Sequence, residues 1–199
     1  MTLDQMCQSA ARYADRYDEF EKTENEDGRM VYEDDALHYF NVFRDAINEA
    51  YFEVARNYGR PDTYFSLIVP EDGVVPLADL DPQPYAIKRV LDESREKDIE
   101  FRFQTRYELY IPNREGQTVT LLYQYLPDRL TGYGDEPIFP ESQVDAMVYI
   151  SLAVAQIWLS EKKTDLYNTW MNKYYMLLKQ VRSSLMSRSR SRIPRRAFR

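Results

Sequence analysis

The last 13 residues of this 199-residue chain carry six arginines and no acidic residue, so they hold the most obvious binding chemistry. Guanidinium groups bind phosphates, and they also form paired hydrogen bonds with carboxylates. Apolar side chains interrupt the arginines, although electrostatic binding alone does not need them. The mixture favours docking on a protein surface over nucleic-acid binding; a solubilising tail without a specific partner is the third interpretation. The candidate docking residues are Arg188, Arg190, Arg192, Ile193, Arg195, Arg196, Phe198 and Arg199.

The 33 acidic residues raise the question of acid–base chemistry or of binding to a hard cation. They occur in short clusters, such as Glu33–Asp35 and Asp92–Glu93, in loops and at predicted helix starts. Acids at these positions serve solvation and helix capping. No stretch has the ligand spacing of a calcium loop, so we predict no metal site.

The side chains best suited to nucleophilic catalysis, histidine and cysteine, occur once each. His38 lies within a predicted helix, and the spacing around Cys7 predicts a small buried apolar residue. Nucleophilic catalysis needs a base beside the nucleophile, and nothing in the sequence suggests such a pair. The six glycines are scattered, so neither a phosphate-binding loop nor a dinucleotide motif is present. We therefore predict no catalytic residue, no cofactor and no enzymatic activity.

The net charge of −7 is divided unevenly along the chain. Removing the six terminal arginines from the 26 basic residues leaves 20 against 33 acidic ones, a net charge of −13. This division predicts an acidic body with a basic arm. A single cysteine excludes an internal disulfide and fits a reducing compartment, and no apolar leader is visible at the start. The 17 tyrosines favour extensive interfaces.

Fifteen consecutive residues, 146–160, carry no charged side chain, and they lie within a segment that we predict to be helical, Pro137–Lys163. The apolar run suffices for about four helical turns, whereas a membrane-spanning helix needs roughly 20 apolar residues. A helix that is apolar on nearly every side must be covered on nearly every side. The sequence therefore predicts a central helix around which the rest of the chain packs.

Three- and four-residue spacing of apolar side chains predicts three further helices, over residues 2–22, 33–58 and 164–186. Between prolines, short apolar runs predict four strands, over residues 64–69, 85–91, 99–111 and 118–126. In residues 99–111 the apolar side chains fall on odd positions, which predicts one buried face. The turn Pro112–Gly116 predicts that residues 118–126 return as the antiparallel partner of that strand.

This order of elements predicts an α+β protein that is mainly an α-helical bundle, with an inserted small antiparallel β segment and a disordered basic C-terminal arm. The predicted bundle comprises residues 1–60 and 137–186, the inserted β segment residues 61–136, and the arm residues 187–199.

Three stretches of this pattern together resemble one known family. The first is the amphipathic helix Leu37–Tyr58 that leads into Gly59–Pro61. The second is the strand pair Tyr107–Pro112 and Thr118–Pro127. The third is Asp135–Glu141 entering the apolar helix Val144–Leu159, followed by a helix with Tyr167, Trp170, Tyr174 and Tyr175. Together the stretches cover roughly residues 37–178, and none is a catalytic fingerprint. In these stretches the chain resembles the head-to-tail connector proteins, or adaptors, of tailed bacteriophages.

The resemblance implies a ring of about twelve copies, with head-to-tail contacts, below the portal at the head–tail junction of a virion. Such a protein is made in the host cytoplasm, does not span a membrane, and binds the portal above and a tail or stopper protein below. Its basic arm would dock on the portal. DNA would pass through the lumen without specific binding, which suits an acidic body because like charges repel.

Two classes of function therefore follow from the sequence. The first is a structural head-to-tail adaptor that uses the arm on the portal. The alternative is a nucleic-acid-binding accessory protein that uses the Arg/Ser-rich tail on phosphates, with an affinity that falls steeply as salt rises. The acidic body disfavours the alternative, because its charge would repel the same polyanion within a Debye length of about 8 Å.

Overall fold

The computed structural model describes residues 1–24, 27 and 29–190, and the side chains as far as residue 183. The helices of this part of the chain are α1 (Leu3–Tyr13), α2 (Asp34–Asn57), α3 (Met147–Ser160) and α4 (Thr164–Arg190). The strands are β1 (Lys22–Glu24), β2 (Met30–Tyr32), β3 (Asp62–Ile68), β4 (Val74–Pro76), β5 (Pro84–Asp92), β6 (Arg102–Thr105), β7 (Glu108–Tyr110) and β8 (Thr118–Tyr125). No helix in these residues combines the length and the apolarity needed to cross a bilayer.

The prediction of a mainly α-helical bundle with a small β insert was wrong. Within the described residues, eight strands form three antiparallel sheets, in the orders β1-β2, β3-β8-β5 and β4-β7-β6. Three of these strands, β1, β2 and β4, were not predicted, because three residues are too few to show a period of two. The protein is therefore α+β, with sheets that have a substantial core of their own.

The chain divides into two compact units. The first comprises residues 1–59 and 128–199, and the second comprises residues 60–127. The connector 128–136 thus groups with the helices.

In the first unit, α3 lies at the centre, and the prediction that it is covered on nearly every side is confirmed. Every side chain from Val148 to Ala155 is buried, and Trp158 is buried too. The predicted start of this helix was wrong, because residues 137–146 form turns and α3 begins only at Met147. Prolines in that segment lack the N–H donor that a helix interior requires.

The N-terminal helix is shorter than predicted. A capping box formed by Thr2 and Gln5 begins α1, which ends at Tyr13 because Asp15 adopts the left-handed conformation with φ 56°. The chain then enters the hairpin β1–β2, which the sequence did not predict. An aromatic cluster formed by Phe20, Tyr32, Phe40, Phe43 and Tyr133 packs this hairpin region against α2.

In the second unit, the sheets β3-β8-β5 and β4-β7-β6 share one apolar core. The predicted single strand 99–111 is in fact a hairpin, since β6 and β7 pair with each other across a turn at Arg106–Tyr107. The predicted partner, β8, instead lies between β3 and β5. Its side chains Val119, Thr120 and Leu121 are all buried, which suits a central strand covered on both faces.

An ion-pair cluster joins the segment after α1 to the end of α3. Glu161 accepts hydrogen bonds from Arg16, whose Nε lies 3.0 Å from Oε1, and from Lys163, whose Nζ lies 2.9 Å from Oε2. Partial burial alone would raise the pKa of Glu161, but the hydrogen bonds from Lys163 and Arg16 lower it below the ordinary value of 4.5. The carboxylate therefore stabilises the fold above that pH.

We expect the replacement Glu161→Gln to lower the free energy of unfolding by about 1 kcal/mol at pH 7. Because the folded-state pKa is depressed, the stabilisation is complete above pH 4.5 and is lost as the pH falls through the folded value. Urea unfolding at pH 7 and pH 3 measures this, and the difference from the wild type should shrink at pH 3. The control is Glu19→Gln, since Glu19 pairs with the same arginine but is more exposed. An equal loss at both pH values would contradict the assignment.

Candidate functional site

The base of the predicted docking arm is α4, whose first half is fixed by an aromatic contact with α1. The rings of Trp170 and Tyr13 lie 5.3 Å apart, measured between centroids. The ammonium of Lys173 lies 4.4 Å from the Trp170 centroid and 5.4 Å from that of Tyr13. This geometry is a cation–π contact, which adds to the aromatic packing. The beginning of α4 is thereby held to the helical core.

The middle of α4 is fixed by a hydrogen bond that the sequence did not predict. The hydroxyl of Tyr174 donates to Oε2 of Glu53 on α2 at 2.6 Å. Burial, followed by this hydrogen bond, raises the pKa of Tyr174, so the phenol stays protonated and remains a donor at neutral pH. The residues are 121 positions apart, and no local pattern marks the pair. Only the packing of α2 and α4 against α3 brings them together.

Buried contacts along α4 continue to Val181, which is the last described buried side chain. The helix continues for nine more residues, to Arg190, a distance of about 14 Å at 1.5 Å per residue. Residues 187–190 are thus helical, and the prediction that the disordered arm begins at 187 was wrong. The periodicity of three and four residues does not signal this extension, because the added residues are serine and arginine.

The candidate docking residues divide between this helix end and the rest of the arm. Arg188 and Arg190 lie in the last turns of α4. The other six, Arg192, Ile193, Arg195, Arg196, Phe198 and Arg199, lie outside the described residues. The structure therefore positions the base of the arm.

Beside the Tyr174–Glu53 contact, α2 presents an open groove with mixed charge. Asp45, Glu49 and Glu53 recur every four residues, and the rest of the lining is Phe52, Arg56, Asn57 and Arg129. Carboxylates at this spacing lie along one helix face. Such a surface can exchange hydrogen bonds with a polar partner, but the described residues include no metal-binding group of three or more His, Cys, Asp or Glu side chains.

The single cysteine and the single histidine lie on different helices, α1 and α2. Cys7 is buried, as predicted, and burial raises the pKa of its thiol far above the ordinary range. A thiol held in this way is a poor nucleophile, because the thiolate is the reactive form. His38 lies exposed on α2 beside Tyr39.

A second exposed surface lies on the β6–β7 hairpin, and the sequence assigned two of its side chains to the wrong environment. Phe103 and Tyr107 were expected on a buried face, yet each is about half exposed. The hairpin turn at Arg106–Tyr107 breaks the alternation that predicted their burial. The guanidinium groups of Arg102 and Arg106 lie over the rings of Tyr110 and Tyr107 at 4.7 and 5.6 Å from the centroids. This surface combines stacked cations with open aromatic rings.

Comparison with known proteins assigns no family to this chain. A scan against protein-family models finds no match, and a search of curated proteins finds no match either.

We expect Tyr174→Phe to lower the free energy of unfolding by about 1–2 kcal/mol, because the half-buried Glu53 carboxylate loses its donor. The matched control is Tyr175→Phe, which removes an exposed hydroxyl from the adjacent residue and should change stability by less than about 0.5 kcal/mol. Chemical denaturation of both variants at neutral pH measures the difference. Equal losses would show that the Tyr174–Glu53 hydrogen bond does not anchor α4.

Proposed function

We propose that this protein is a structural head-to-tail adaptor of a tailed phage, which forms a ring between the portal and the tail. The observation that carries the proposal is the base of the arginine arm. The helix that bears it is fixed to the core by Trp170, Tyr174 and Val181, and then continues to Arg190. A docking arm needs such a rigid base, because a fixed starting point lowers the entropy lost when the arm binds.

In this proposal the arginines of the arm bind carboxylates on the portal, while Ile193 and Phe198 fill apolar sites between them. Forked guanidinium–carboxylate pairs supply geometric specificity, and the apolar anchors supply contact area. Neighbouring subunits meet head to tail in a ring of about twelve copies. The open aromatic rings of the β6–β7 hairpin suit contacts with a tail or stopper protein, because exposed aromatic side chains favour protein interfaces.

DNA passes through the ring without specific binding in this proposal, and the protein acts as part of the virion rather than as an enzyme. The support is electrostatic. The chain without its six terminal arginines carries a net charge of −13, so a lumen lined by this body repels the polyanion. The alternative, an accessory protein that binds nucleic acid through the arm, requires the same arginines to overcome that repulsion.

The test compares the full chain with a chain that ends at Met186, each mixed with the portal ring from the same genome and imaged by electron microscopy. We expect a stacked second ring only with the full chain, because truncation removes all six arginines. We also expect the portal affinity to fall roughly a hundredfold or more, as for the loss of several charged interface contacts. A stacked ring with the truncated chain would overturn the docking assignment.

A matched variant separates the effect of the arm's positive charge from that of the forked hydrogen-bond geometry of its guanidinium groups. Replacing Arg192, Arg195 and Arg196 with lysine keeps the charge but removes the forked donors, so portal binding should weaken while any nucleic-acid binding stays nearly unchanged. Binding to duplex DNA is measured alongside, at low and physiological salt. Strong DNA binding that falls steeply with salt, together with no portal binding, would replace the adaptor proposal with the accessory-protein alternative.

A further inference from the structure

The longest regular strand edge of the second unit, that of β3, has no strand beside it. This strand pairs with β8 over seven consecutive residues without a register shift. On its other side, no strand of the described residues pairs with it. An open edge of this kind presents unpaired backbone donors and acceptors, and it is a template for pairing with another chain.

The hydrogen bonds at the two ends of β3 show which backbone groups face the open side. The N–H of Tyr125 donates to the carbonyl of Pro61 at 3.2 Å, and the N–H of Val69 donates to that of Gln117 at 3.0 Å. Pro61 and Val69, which flank β3 on either side, are both odd-numbered. In an antiparallel pair the bonded positions alternate, so the odd positions bond to β8 and the even positions face outward. The outward residues are Asp62, Tyr64, Ser66 and Ile68.

These outward backbone groups make no hydrogen bond within the part of the chain that the structure describes. The side chains of the same residues are also open, since Tyr64 is 54% exposed and Ile68 is 67% exposed. Ser66 is held differently, because its hydroxyl lies 2.9 Å from that of Thr120 on β8. The edge therefore offers both backbone hydrogen bonds and apolar contact area.

The other edges of the second unit carry features that hinder pairing. β5 has two register shifts, begins at Pro84, and is covered near its end, where the N–H of Ile99 donates to the carbonyl of Val90 at 2.8 Å. β4 has three residues and ends at Pro76. β6 has four residues, an irregular register and the charged side chain of Arg102. Prolines, bulges and charges of this kind prevent strand addition, and β3 has none within residues 63–68.

We propose that the β3 edge binds a second copy of this chain, with the two β3 strands antiparallel and Ser66 on the two-fold axis. This register places Tyr64 of one copy opposite Ile68 of the other, so the two exposed apolar side chains meet each other. Aromatic and β-branched side chains form favourable cross-strand pairs. The three paired positions are all outward-facing, and each antiparallel pair exchanges two hydrogen bonds.

No carboxylate opposes the pairing, although the chain as a whole is acidic, and the charged group over the Tyr64 ring is the Arg95 guanidinium, 5.2 Å from the centroid. No residue from Tyr64 to Ile68 is charged. The nearest charged side chain on the strand is that of Asp62, whose carboxylate already pairs with Lys88 at 2.7 Å. Two copies can therefore approach along this edge without bringing uncompensated carboxylates together.

The proposed contact is short. Five residues of β strand span about 17 Å, so the contact is smaller than the roughly 1,600 Å² typical of stable complexes. We expect weak, reversible association. The contact is isologous and is separate from the head-to-tail contacts of a closed ring, so it does not rest on the adaptor proposal.

The test measures the association of the full chain by sedimentation velocity over a wide range of protein concentration. We expect a monomer–dimer equilibrium, and we expect Ile68→Pro to raise the dissociation constant at least tenfold. Proline at this position removes an outward N–H and leaves the hydrogen bonds to β8 in place. If that variant folds poorly, Ile68→Lys introduces a charge at the same edge. The control is Phe103→Lys, which changes a comparably exposed side chain on β6 and should leave association unchanged.

Cross-linking tests the register directly. Chains with Tyr64→Cys and chains with Ile68→Cys are mixed and treated with a short bismaleimide; the native Cys7 is buried and should not react. The mixture should cross-link between copies, because the proposed register places the two introduced cysteines opposite each other. A dimer of either variant alone should not cross-link, because the introduced cysteines of its two copies lie four residues apart along the paired strands. A monomer at every concentration, a dimer insensitive to Ile68→Pro, or a dimer lost with Phe103→Lys would overturn the proposal.

Discussion

The burial of α3 is the constraint on which the helical unit depends. This helix has almost no polar side, so its stability requires apolar neighbours in every direction. α1, α2 and α4 supply those neighbours. Asn48 of α2 fixes the path of the connector that begins at residue 128, since its side chain accepts from the N–H of Leu130 at 2.8 Å and donates to the carbonyl of the same residue at 2.9 Å. A buried amide that is satisfied on both sides specifies the path of a connector at little cost.

The coverage of α3 has a consequence for α4. Only one side of α4 is needed to cover α3, so its described buried side chains are few: Tyr174, Leu178 and Val181. The described side chains beyond Val181, those of residues 182 and 183, are exposed, yet the helix continues to Arg190. The change from apolar to basic sequence occurs in this extension. The first part of α4 thus packs on the core, and its last part belongs to the basic arm. Because both parts are one helix, the packing of the core also positions the base of the arm.

The second unit is organised by a different requirement, the covering of a strand on both faces. β8 is the central strand of its sheet, and β3 and β5 flank it. The sheet does not close into a barrel, so each of its two outer strands has one edge without a neighbouring strand in this sheet. Bulges and the segment that follows β5 protect the edge of β5, whereas the edge of β3 is regular and open. The two outer strands of this sheet therefore differ in how their edges are protected against pairing.

The sequence by itself determined the features that depend on composition and on local period. These are the central apolar helix, the amphipathic α2 and α4, the buried Cys7 and the basic terminal segment, because each follows from contacts within a few residues or from simple burial. Tertiary structure decided the rest. The alternation in residues 99–111 could not reveal a turn at Arg106–Tyr107, and it could not show that β8 would pair with β3 and β5. Strand partners, the Tyr174–Glu53 hydrogen bond and the open edge of β3 all join residues far apart in the chain. Such contacts depend on which surfaces meet when two cores form, and no local pattern encodes that choice.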